Sequence, residues 1–386
     1  MSYLYPMSGL PKKLQAKLQQ RRDDGSLRSL YERHELIDFS SNDYLGLARR
    51  EEQPAENLPA GSSGSRLISG NHPLYAKAEN VVRKFHLAEA ALIFNSGYDA
   101  NLGLLSAILQ RGDYIFYDQN VHASIRDGIR LGNAKAFKFA HNDQESLKQM
   151  VWQVLKGTPL QNGEVYVITE SVFSMEGDGP DLGLLAAYCK LHNFRLIVDE
   201  AHSAGILGPE GRGEVAGKEW QDLVFARLVT FGKSLGCHGA AVLCSSGLRE
   251  YLINFSRSLI YTTALPPQSL MAILKAYQWI QADTGAAARN ALLENIRVFS
   301  KWVEELELSG YMIPAKAAIR CCEIGGNTRV KTLSAELRKS GFDIKPILSP
   351  TVQKGRECLR FSLHSFNSEP QIREVLTILA GLLKHK

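Results

Sequence analysis

Short apolar runs alternate with amphipathic stretches along this chain from about Ala90 onward. The runs that predict strands are Ala91–Phe94, Tyr114–Tyr117, Glu164–Thr169, Arg195–Val198, Leu228–Phe231 and Gly239–Leu243. Most of them are separated by stretches with helical periodicity, of which Leu182–His192 is an example. Because such alternation is typical of helices packed on a largely parallel sheet, the pattern predicts an α/β fold.

The pattern changes in the last third of the chain. Long helical stretches run from Pro267 to about Leu308 and are followed by shorter mixed segments. These segments are Ile319–Ile324, Thr332–Ser340, Leu359–Leu363 and a terminal helix. With 386 residues and 45% hydrophobic content, the chain is long enough for more than one core. We therefore expect an N-terminal helix and strand segment over 1–45, a large domain over 46–275 and a smaller C-terminal α+β domain over 276–386.

Composition excludes several classes of protein. The longest apolar runs, such as Leu196–Val198, are far shorter than the roughly 18 residues of a membrane span. Met1 to Gly9 lacks a basic region followed by an apolar stretch, so we expect no secretory signal and a cytoplasmic location. The six cysteines show no CxxC pair or regular spacing, which indicates neither disulfides nor a metal site.

The net charge of +5 is modest, and its visible concentration lies on one early predicted helix. The basic residues there are Lys12, Lys13, Lys17, Arg21 and Arg22. Nucleic-acid binding would need stronger clustering than this. We interpret the helix either as a solvated face or as a neighbour of an anionic substrate.

Polar segments follow two of the predicted strands, at the edge where ligands of open α/β sheets bind. After Phe94, the segment Asn95–Asn101 contains a glycine turn that opens a helix. Such a turn is either an ordinary tight turn or a phosphate site built from free backbone N–H groups. After Ile168, Glu170–Asp178 is dense in hydroxyls and carboxylates, and by itself it reads as a polar loop.

An acid and a lysine follow two further strands. Asp199 comes directly after Val198, with His202 three residues later. Its carboxylate either caps the next helix or pairs with a protonated ring nitrogen. Lys233 lies just past Phe231, and a lysine at the rim of a buried sheet needs an anionic or covalent partner, a surface ion pair being the alternative. Together these strand-end residues indicate one shared site.

A nucleotide-hydrolysing enzyme is a rival interpretation, because Asp199–His202 and Gly232–Ser234 resemble the two nucleotide motifs of a helicase. The phosphate-loop pattern requires a glycine five residues before Gly232, and that residue is Arg227. The order of the two motifs is also reversed. The motif match therefore fails.

Several longer segments match a known family. They are Phe39–Leu47, Phe139–Asp143, Val172–Asp178, Val229–Lys233 and Leu259–Pro267. Over nearly its whole length, from Leu14 onward, the chain resembles the α-oxoamine synthases. These are fold type I pyridoxal-phosphate enzymes that join an amino acid to an acyl thioester with loss of carbon dioxide. The resemblance implies pyridoxal 5′-phosphate as the cofactor, bound by the large domain.

The resemblance assigns roles around the cofactor ring. Lys233 would hold the cofactor as a Schiff base and, once freed, act as a base on the α-hydrogen of the substrate. Asp199 would keep the pyridine nitrogen protonated, so that the ring accepts electrons. His122 would stack on the ring, although by its position alone it is equally a helix-capping or core histidine. Ser174 and His202 would hydrogen-bond the phenolic oxygen.

It also assigns a phosphate site shared between two chains. Gly97 and Tyr98 would offer backbone N–H groups to the phosphate, and Thr230 would add a hydroxyl. Thr262 and Thr263 would reach the phosphate of the neighbouring subunit. A homodimer with shared active sites is thus implied.

At the substrate end, Arg360 would grip the carboxylate of the amino acid, a task that suits a planar guanidinium. Arg28 and Asn42 would assist it. One departure from the family pattern is Tyr75, which stands where related sequences place a histidine after Ser69-Gly70. It leaves the cofactor assignment intact and concerns local contacts with the substrate.

Within the family, Phe139–Asp143 and Ser171–Asp178 are closest to the member of biotin formation. This likeness implies L-alanine and a pimeloyl thioester, carried on coenzyme A or on an acyl carrier protein, as small-molecule substrates. The short stretch before Leu10 also differs from the extensions of mitochondrial or membrane-bound siblings. The alternatives are siblings that use glycine, for aminoketobutyrate, aminolevulinate or sphingoid-base formation, and an unrelated fold type I aminotransferase.

Overall fold

The computed structural model describes residues 9–28, 30, 35–50, 57–156, 163–315 and 317–384. Its helices are α1 (Lys12–Asp23), α2 (Leu74–Phe85), α3 (Gly97–Ile108), α4 (Ala123–Leu131), α5 (Gln144–Leu155), α6 (Leu182–Leu191), α7 (Ser246–Phe255), α8 (Arg257–Ile260), α9 (Pro267–Gln281), α10 (Asp283–Glu305), α11 (Asn327–Lys339) and α12 (Glu369–Lys384). Its strands are β1 (Ile37–Asp38), β2 (Ala90–Phe94), β3 (Tyr114–Asp118), β4 (Lys135–Phe139), β5 (Val165–Glu170), β6 (Arg195–Asp199), β7 (Val224–Thr230), β8 (Ala240–Cys244), β9 (Ile319–Glu323), β10 (Phe342–Asp343), β11 (Lys345–Ile347) and β12 (Cys358–Ser362).

A sheet of seven strands, in the order β2-β8-β7-β6-β5-β3-β4, organises the larger part of the molecule. Strand β8 runs antiparallel to both of its neighbours, and the remaining pairs are parallel. The predicted α/β fold with a largely parallel sheet is therefore confirmed. Each of the predicted strands is present, with ends that differ by at most four residues.

Alternate residues of the central strands enter different cores, which is why these strands read as continuous apolar runs. In β5, Val165 and Val167 pack with α6 residues such as Leu185 on one face. Tyr166 and Ile168 pack on the other face, in a core that includes α3 and α4. A parallel sheet covered by helices on both faces requires apolar side chains in both directions.

Strand β4, at the edge of the sheet, is absent from the predicted strands. Its sequence is Lys-Ala-Phe-Lys-Phe, and Lys135, Ala136 and Lys138 are exposed. Lysines on an edge strand hinder pairing with other chains, but they also remove the apolar run by which a buried strand is recognised. For this reason the hydrophobic pattern did not predict β4.

The C-terminal part contains an antiparallel sheet, β11-β12-β9, packed with α10, α11 and α12. The short strand β1 pairs in parallel with β10, so the N-terminal segment joins this part of the fold. Phe39 makes an edge contact with Phe361 there, at 6.3 Å between ring centroids. The division into parts at 1–45, 46–275 and 276–386 stays a prediction.

Helix α1, the early basic helix, has no buried residue. This agrees with the interpretation as a solvated face. Within the described ranges, no helix has the length and apolar character needed to cross a bilayer.

The register of the parallel strands decides which polar residues become neighbours. Asp199 at the end of β6 pairs with Glu170 at the end of β5 and with Leu228 of β7. Asp118 and Phe139 pair in the same way at the ends of β3 and β4. The strand-end residues are thereby gathered at one edge of the sheet, as expected for a ligand site.

Candidate active site

A chain of hydrogen bonds begins at Lys233, just beyond the end of β7. Lys233 Nζ lies 2.6 Å from His202 Nε2, and His202 Nδ1 lies 2.7 Å from the hydroxyl of Tyr44. Tyr44 donates in turn to Asn42 Oδ1 at 3.1 Å. Because a lysine ammonium only donates, the chain assigns an acceptor role to His202 Nε2 and places the ring proton on Nδ1. The imidazole is therefore the neutral form with a defined tautomer.

The chain ends on Arg360 of β12. Its Nη2 donates to Asn42 Oδ1 at 3.0 Å, and its Nε donates to the backbone carbonyl of Ser174 at 2.7 Å. Arg360 is 7% exposed. No salt bridge joins it to a carboxylate within the described residues. A buried guanidinium held by neutral acceptors is free to bind an anion from outside.

Asp199, at the end of β6, interacts electrostatically with Lys233. Its carboxylate is 5% exposed. It accepts hydrogen bonds from Asn101 Nδ2 at 2.8 Å and from the backbone N–H of Ala201 at 2.9 Å. The alternative interpretation expected Asp199 to cap a following helix, but residues 201–206 form turns, so the bond to Ala201 caps a turn. The carboxylate keeps further acceptor capacity, which suits a cationic partner.

His122 begins α4 as its N-cap, with Nδ1 accepting from the backbone N–H of Ser124 at 3.2 Å. The same Nδ1 lies 2.7 Å from Ser124 Oγ, and Ser124 Oγ accepts from Asn101 at 3.0 Å. The backbone N–H of His122 donates to Glu170 at 2.5 Å. The capping interpretation of His122 is thus correct, and its contacts also lead through Asn101 to Asp199. A stacking role toward the cofactor stays a prediction.

The predicted phosphate turn opens α3. Ser96 is its N-cap and accepts from the backbone N–H of Asp99 at 3.1 Å. The first N–H groups of a helix, here those of Gly97 and Tyr98, have no acceptor within the helix. A Cβ added at Gly97 would lie 3.6 Å from Thr230 Oγ1, so both residues line the same cradle. The side chain of Tyr98 points elsewhere and donates to Asp127 at 2.5 Å.

Thr262 and Thr263 lie beside this turn within the same chain. Asn95 Nδ2 donates to Thr262 Oγ1 at 3.3 Å and to the carbonyl of Thr263 at 2.7 Å. Thr263 is exposed. Their predicted reach toward a neighbouring subunit is a proposal taken up below.

Two predicted residues have a different setting. Arg28 is exposed and donates to Thr351 Oγ1 at 3.0 Å, and none of its described contacts joins it to the Lys233 chain. Ser174 lies at the site, and its backbone carbonyl accepts a hydrogen bond from Arg360. Its predicted side-chain bond to the cofactor stays a prediction.

Burial controls the protonation of the Lys233 chain. Burial lowers the pKa of Lys233 to about 8, against the opposing effect of Asp199 and Glu170, and Arg360 adds to the lowering. Burial, followed by the charges of Lys233 and Arg360, holds the pKa of His202 well below its usual value. Burial raises the pKa of Tyr44 to about 12, so its hydroxyl keeps its proton. Near neutral pH, the amine of Lys233 is therefore partly available as a nucleophile or base.

The two acids at the strand ends differ. Burial and then the neighbouring charge of Asp199 hold the pKa of Glu170 well above its usual value. Burial also lowers the pKa of His122, although Asp199 opposes this. The site thus keeps Glu170 and His122 neutral. Of the paired acids at the ends of β5 and β6, Asp199 is then the one available to meet a cation.

These donors fit pyridoxal phosphate. The cofactor needs a phosphate cradle, a carboxylate for its ring nitrogen and an amine for its aldehyde. The start of α3 with Thr230 would supply the cradle, Asp199 the carboxylate and Lys233 the amine, all at one sheet edge.

Comparison with known proteins gives the same class. The family model for aminotransferase class I and II matches residues 34–379. A putative 8-amino-7-oxononanoate synthase of Geobacillus kaustophilus is 39% identical over 354 residues, covering 89% of this chain and 88% of that protein. The crystal structure of the 8-amino-7-oxononanoate synthase of Francisella tularensis is 30% identical, with a TM-score of 0.73, covering 91% of this chain and 98% of that one. A structure of SPT with a pyridoxal-phosphate internal aldimine is 25% identical with a TM-score of 0.86, covering 97% of each chain.

The chain therefore belongs to the aminotransferase class I and II family, a fold type I family of pyridoxal-phosphate enzymes, and its relatives there are 8-amino-7-oxononanoate synthases. The predicted family, fold and cofactor are confirmed.

Several residues of the site were not predicted individually from the sequence. They are Tyr44, Asn101, Ser124 and Glu170. Tyr44 and Glu170 lie inside segments that were noted, as part of a family motif and of a polar loop. Asn101 ends the segment Asn95–Asn101, which was noted as a candidate phosphate turn, but no local signal relates it to Asp199, because the two are 98 positions apart in the chain.

Proposed function

We propose that this chain catalyses the condensation of L-alanine with a pimeloyl thioester to 8-amino-7-oxononanoate, carbon dioxide and free thiol, with pyridoxal phosphate as cofactor. In this reaction, a bond forms between the α-carbon of alanine and the acyl carbon, the carbon–sulfur bond breaks, and the carboxyl group leaves as carbon dioxide. The observation that carries the proposal is the continuous hydrogen-bond chain from Lys233 to Arg360. This chain joins an amine and a guanidinium in one site, which supports their roles as nucleophile and carboxylate-binding group.

When bound, pyridoxal phosphate supplies an aldehyde carbon for amines and a ring that takes up the electron pair released at the α-carbon. Lys233 would hold it at that aldehyde, Asp199 at its ring nitrogen, and Gly97, Tyr98 and Thr230 at its phosphate. Thr262 and Thr263 would complete the phosphate site of the neighbouring subunit, and His122, Ser174 and His202 would contact the ring or its phenolic oxygen.

Lys233 is the base that removes the proton from the α-carbon of the amino acid. With a pKa of about 8, roughly a tenth of its side chains are neutral at pH 7, so the amine can take a proton from the α-carbon. His202 Nε2, at 2.6 Å, orients the amine without competing for that proton, because His202 remains neutral. Tyr44 fixes the tautomer of His202 from behind.

Arg360 orients the amino acid. Its guanidinium, held by Asn42 and by the carbonyl of Ser174, faces no protein carboxylate among the described residues and would receive the carboxylate of alanine. Fixing the substrate at this end aligns its α-carbon relative to Lys233 and supplies the proximity on which catalysis depends. Arg28 would act at the same end of the site.

We also infer a homodimer with shared sites. Tyr261 is 72% exposed next to Thr262 and Thr263, which fits a segment that contacts a second chain. Mixing Lys233→Ala chains with chains that carry Thr262→Ala and Thr263→Ala should restore activity, because one site in each hybrid then has both contributions intact. No recovery in hybrids whose formation is verified by mass would contradict the shared site.

A second candidate is a sibling of the α-oxoamine synthases that uses glycine or makes a sphingoid base, since SPT structures are similar to nearly the whole chain. The higher identity to 8-amino-7-oxononanoate synthases favours the first candidate. The test is a matrix of L-alanine, glycine and L-serine against acetyl, pimeloyl and palmitoyl thioesters, with products identified by mass. Since a pocket for one methyl group is worth about 1–3 kcal/mol, alanine should exceed glycine by about 10- to 200-fold in kcat/KM. A preference for glycine with acetyl-CoA, or for serine with palmitoyl-CoA, would move the chain to the second candidate.

The same matrix, run with pimeloyl-CoA and with pimeloyl acyl carrier protein, shows which carrier is preferred. A cytoplasmic location remains part of the proposal. It is supported by six free thiols and can be checked by cell fractionation.

A further inference from the structure

His141 bridges two loops at the carboxyl edge of the sheet. Its Nδ1 lies 3.0 Å from Asp118 Oδ1, at the end of β3, and its Nε2 lies 3.1 Å from Asp178 Oδ2, in the loop after β5. The ring is 17% exposed and packs edge-on against Phe173 at 4.4 Å. An imidazole that donates from both nitrogens to carboxylates is an imidazolium. Asn142 adds a parallel link, from its backbone N–H to Asp118 and from its amide to Asp178.

The charges around His141 keep it protonated. Burial by itself lowers the pKa of His141, but the hydrogen bonds and charges of Asp118 and Asp178 outweigh burial and raise that pKa to about 10. Glu176, on the same loop as Asp178, is the further charged group that interacts with the ring among the described residues. The bridge is therefore intact throughout the physiological pH range.

Asp178 is tied to Ser174 by a closed turn. The backbone N–H of Phe173 donates to the carbonyl of Asp178 at 2.8 Å, and that of Gly177 donates to the carbonyl of Phe173 at 2.9 Å. Gly177 has φ +76°, and a side chain there would clash with the carbonyl of Ile319. A turn so constrained moves as a unit. The position of Asp178 therefore determines that of Ser174.

The turn is in direct contact with the substrate end of the site. The carbonyl of Ser174 accepts from Arg360 Nε at 2.7 Å. Within the described residues, Arg360 also donates to Asn42 Oδ1 and Ser362 Oγ and interacts with the hydroxyl of Tyr44. A shift of the turn would rotate the guanidinium away from its partner Asn42.

We propose that His141 is a positioning residue for Arg360. Its bridge to Asp118 and Asp178 holds the turn Phe173–Asp178 in the position in which Arg360 can bind the carboxylate of the amino acid. His141 does not touch the substrate. The inference rests on the proposed function in one respect, the role of Arg360 as the amino-acid carboxylate site.

Two variants separate the two halves of the bridge. In His141→Gln the side-chain amide nitrogen has the reach of Nε2, so the link to Asp178 is kept and that to Asp118 is lost. In His141→Asn the amide nitrogen has the reach of Nδ1, so the link to Asp118 is kept, and Asp178 keeps its bond from the Asn142 amide but loses its bond to residue 141. We expect His141→Asn to raise the KM for the amino acid by about 10- to 100-fold, the effect of a shift of about 1 Å, with a smaller rise in His141→Gln. The KM for the acyl thioester should change by less than about threefold in both.

Binding of alanine, glycine and serine to the holoenzyme can be measured without turnover, from the change in cofactor absorbance. We expect these affinities to rank the two His141 variants in the same order as the KM values do. This readout separates the two proposals, because a holoenzyme that binds amino acids but forms no 8-amino-7-oxononanoate refutes the substrate and leaves the His141 prediction testable. His192→Asn, a change at an exposed histidine at the end of α6, is the matched control and should leave all constants unchanged.

A structural readout on the protein without cofactor completes the test. Because the pKa of His141 is raised by folding, its contribution to stability is fully present below its unfolded pKa of about 6.5 and is lost as the pH rises through about 10. The difference in Tm between wild type and His141→Asn should therefore shrink between pH 8 and pH 11. The proposal is refuted if His141→Asn lowers Tm but leaves amino-acid affinity unchanged, if both KM values rise together, or if His141→Gln is impaired more than His141→Asn.

Discussion

Replacing Asp199 with asparagine removes one charge from the site while nearly preserving shape. The carboxylate accepts from Asn101 Nδ2 and from the N–H of Ala201, and an asparagine can serve only one of these donors with its single oxygen. Its amide nitrogen would then face Asn101. Asn101 Oδ1 is buried and has no hydrogen-bond partner in the described part of the chain, so a rotation of the Asn101 amide can offer it as the new acceptor. We therefore expect the fold to be kept, with a change of about 1 kcal/mol or less in the free energy of unfolding.

The cost to the reaction should be much larger. At the paired ends of β5 and β6, Asp199 is the carboxylate left to meet a cation, since burial and the charge of Asp199 hold the pKa of Glu170 well above its usual value. Truncating one partner of a buried, hydrogen-bonded charge pair typically costs about 2–5 kcal/mol. If the cofactor ring nitrogen is that partner, this cost corresponds to a loss of about 30- to 5000-fold in the rate of proton removal from the α-carbon.

The assay is exchange of the α-hydrogen of alanine with deuterated solvent, measured on holoenzyme before the thioester is added. Asp283→Asn, in the exposed first turn of α10, is the matched control and should exchange at the wild-type rate. Melting curves of the apo proteins verify the expected retention of the fold. Exchange at the wild-type rate in Asp199→Asn would refute the reasoning and leave Asp199 as a turn-capping residue only.

Three further outcomes are expected. Lys233→Ala should abolish the yellow colour of the holoenzyme and lower turnover by at least about 10²–10⁴-fold, whereas the exposed Lys13→Ala should not; wild-type turnover in Lys233→Ala would contradict the assignment. Because the pKa of Lys233 is about 8, the rate at which the apo protein captures pyridoxal phosphate should rise about tenfold from pH 6 to pH 7 and level off above about pH 8. The rate is measured by stopped-flow absorbance, and a rate that does not change with pH would contradict this expectation. Tyr75→Phe should lower the free energy of unfolding in urea by about 1–3 kcal/mol, since the buried N–H of Leu265 loses its acceptor at 2.8 Å; an unchanged midpoint would show that Leu265 finds another.

Tyr75, which departs from the family pattern, makes two specific contacts in the structure. Its hydroxyl holds the N–H of Leu265, two residues after Thr263, and the guanidinium of Arg66 lies 3.8 Å above its ring. The sequence marked this position as unusual near the substrate. The structure instead places its contacts on the segment that carries Thr262 and Thr263.

The sequence by itself determined the elements and the strand-end residues. Apolar runs and helical periodicity are local properties, so they predicted the sheet strands from β2 to β8 apart from β4, whose lysines hide the run. A polar residue directly after an apolar run is equally local, and this signal indicated Asp199 and Lys233. The family motifs then supplied roles that no spacing could.

Only the tertiary structure decided which of these residues meet. Tyr44 and His202 are 158 positions apart in the chain, and Asn42 and Arg360 are 318 apart, so no local pattern relates them. Their pairing requires segments that are distant in the chain, namely the residues after β1, the turns after β6 and strand β12, to pack together in the folded protein. The same physical reason explains why the lowered pKa of Lys233, the exposed setting of Arg28 and the bridge at His141 were invisible in the sequence: burial and long-range contacts exist only once the chain is folded.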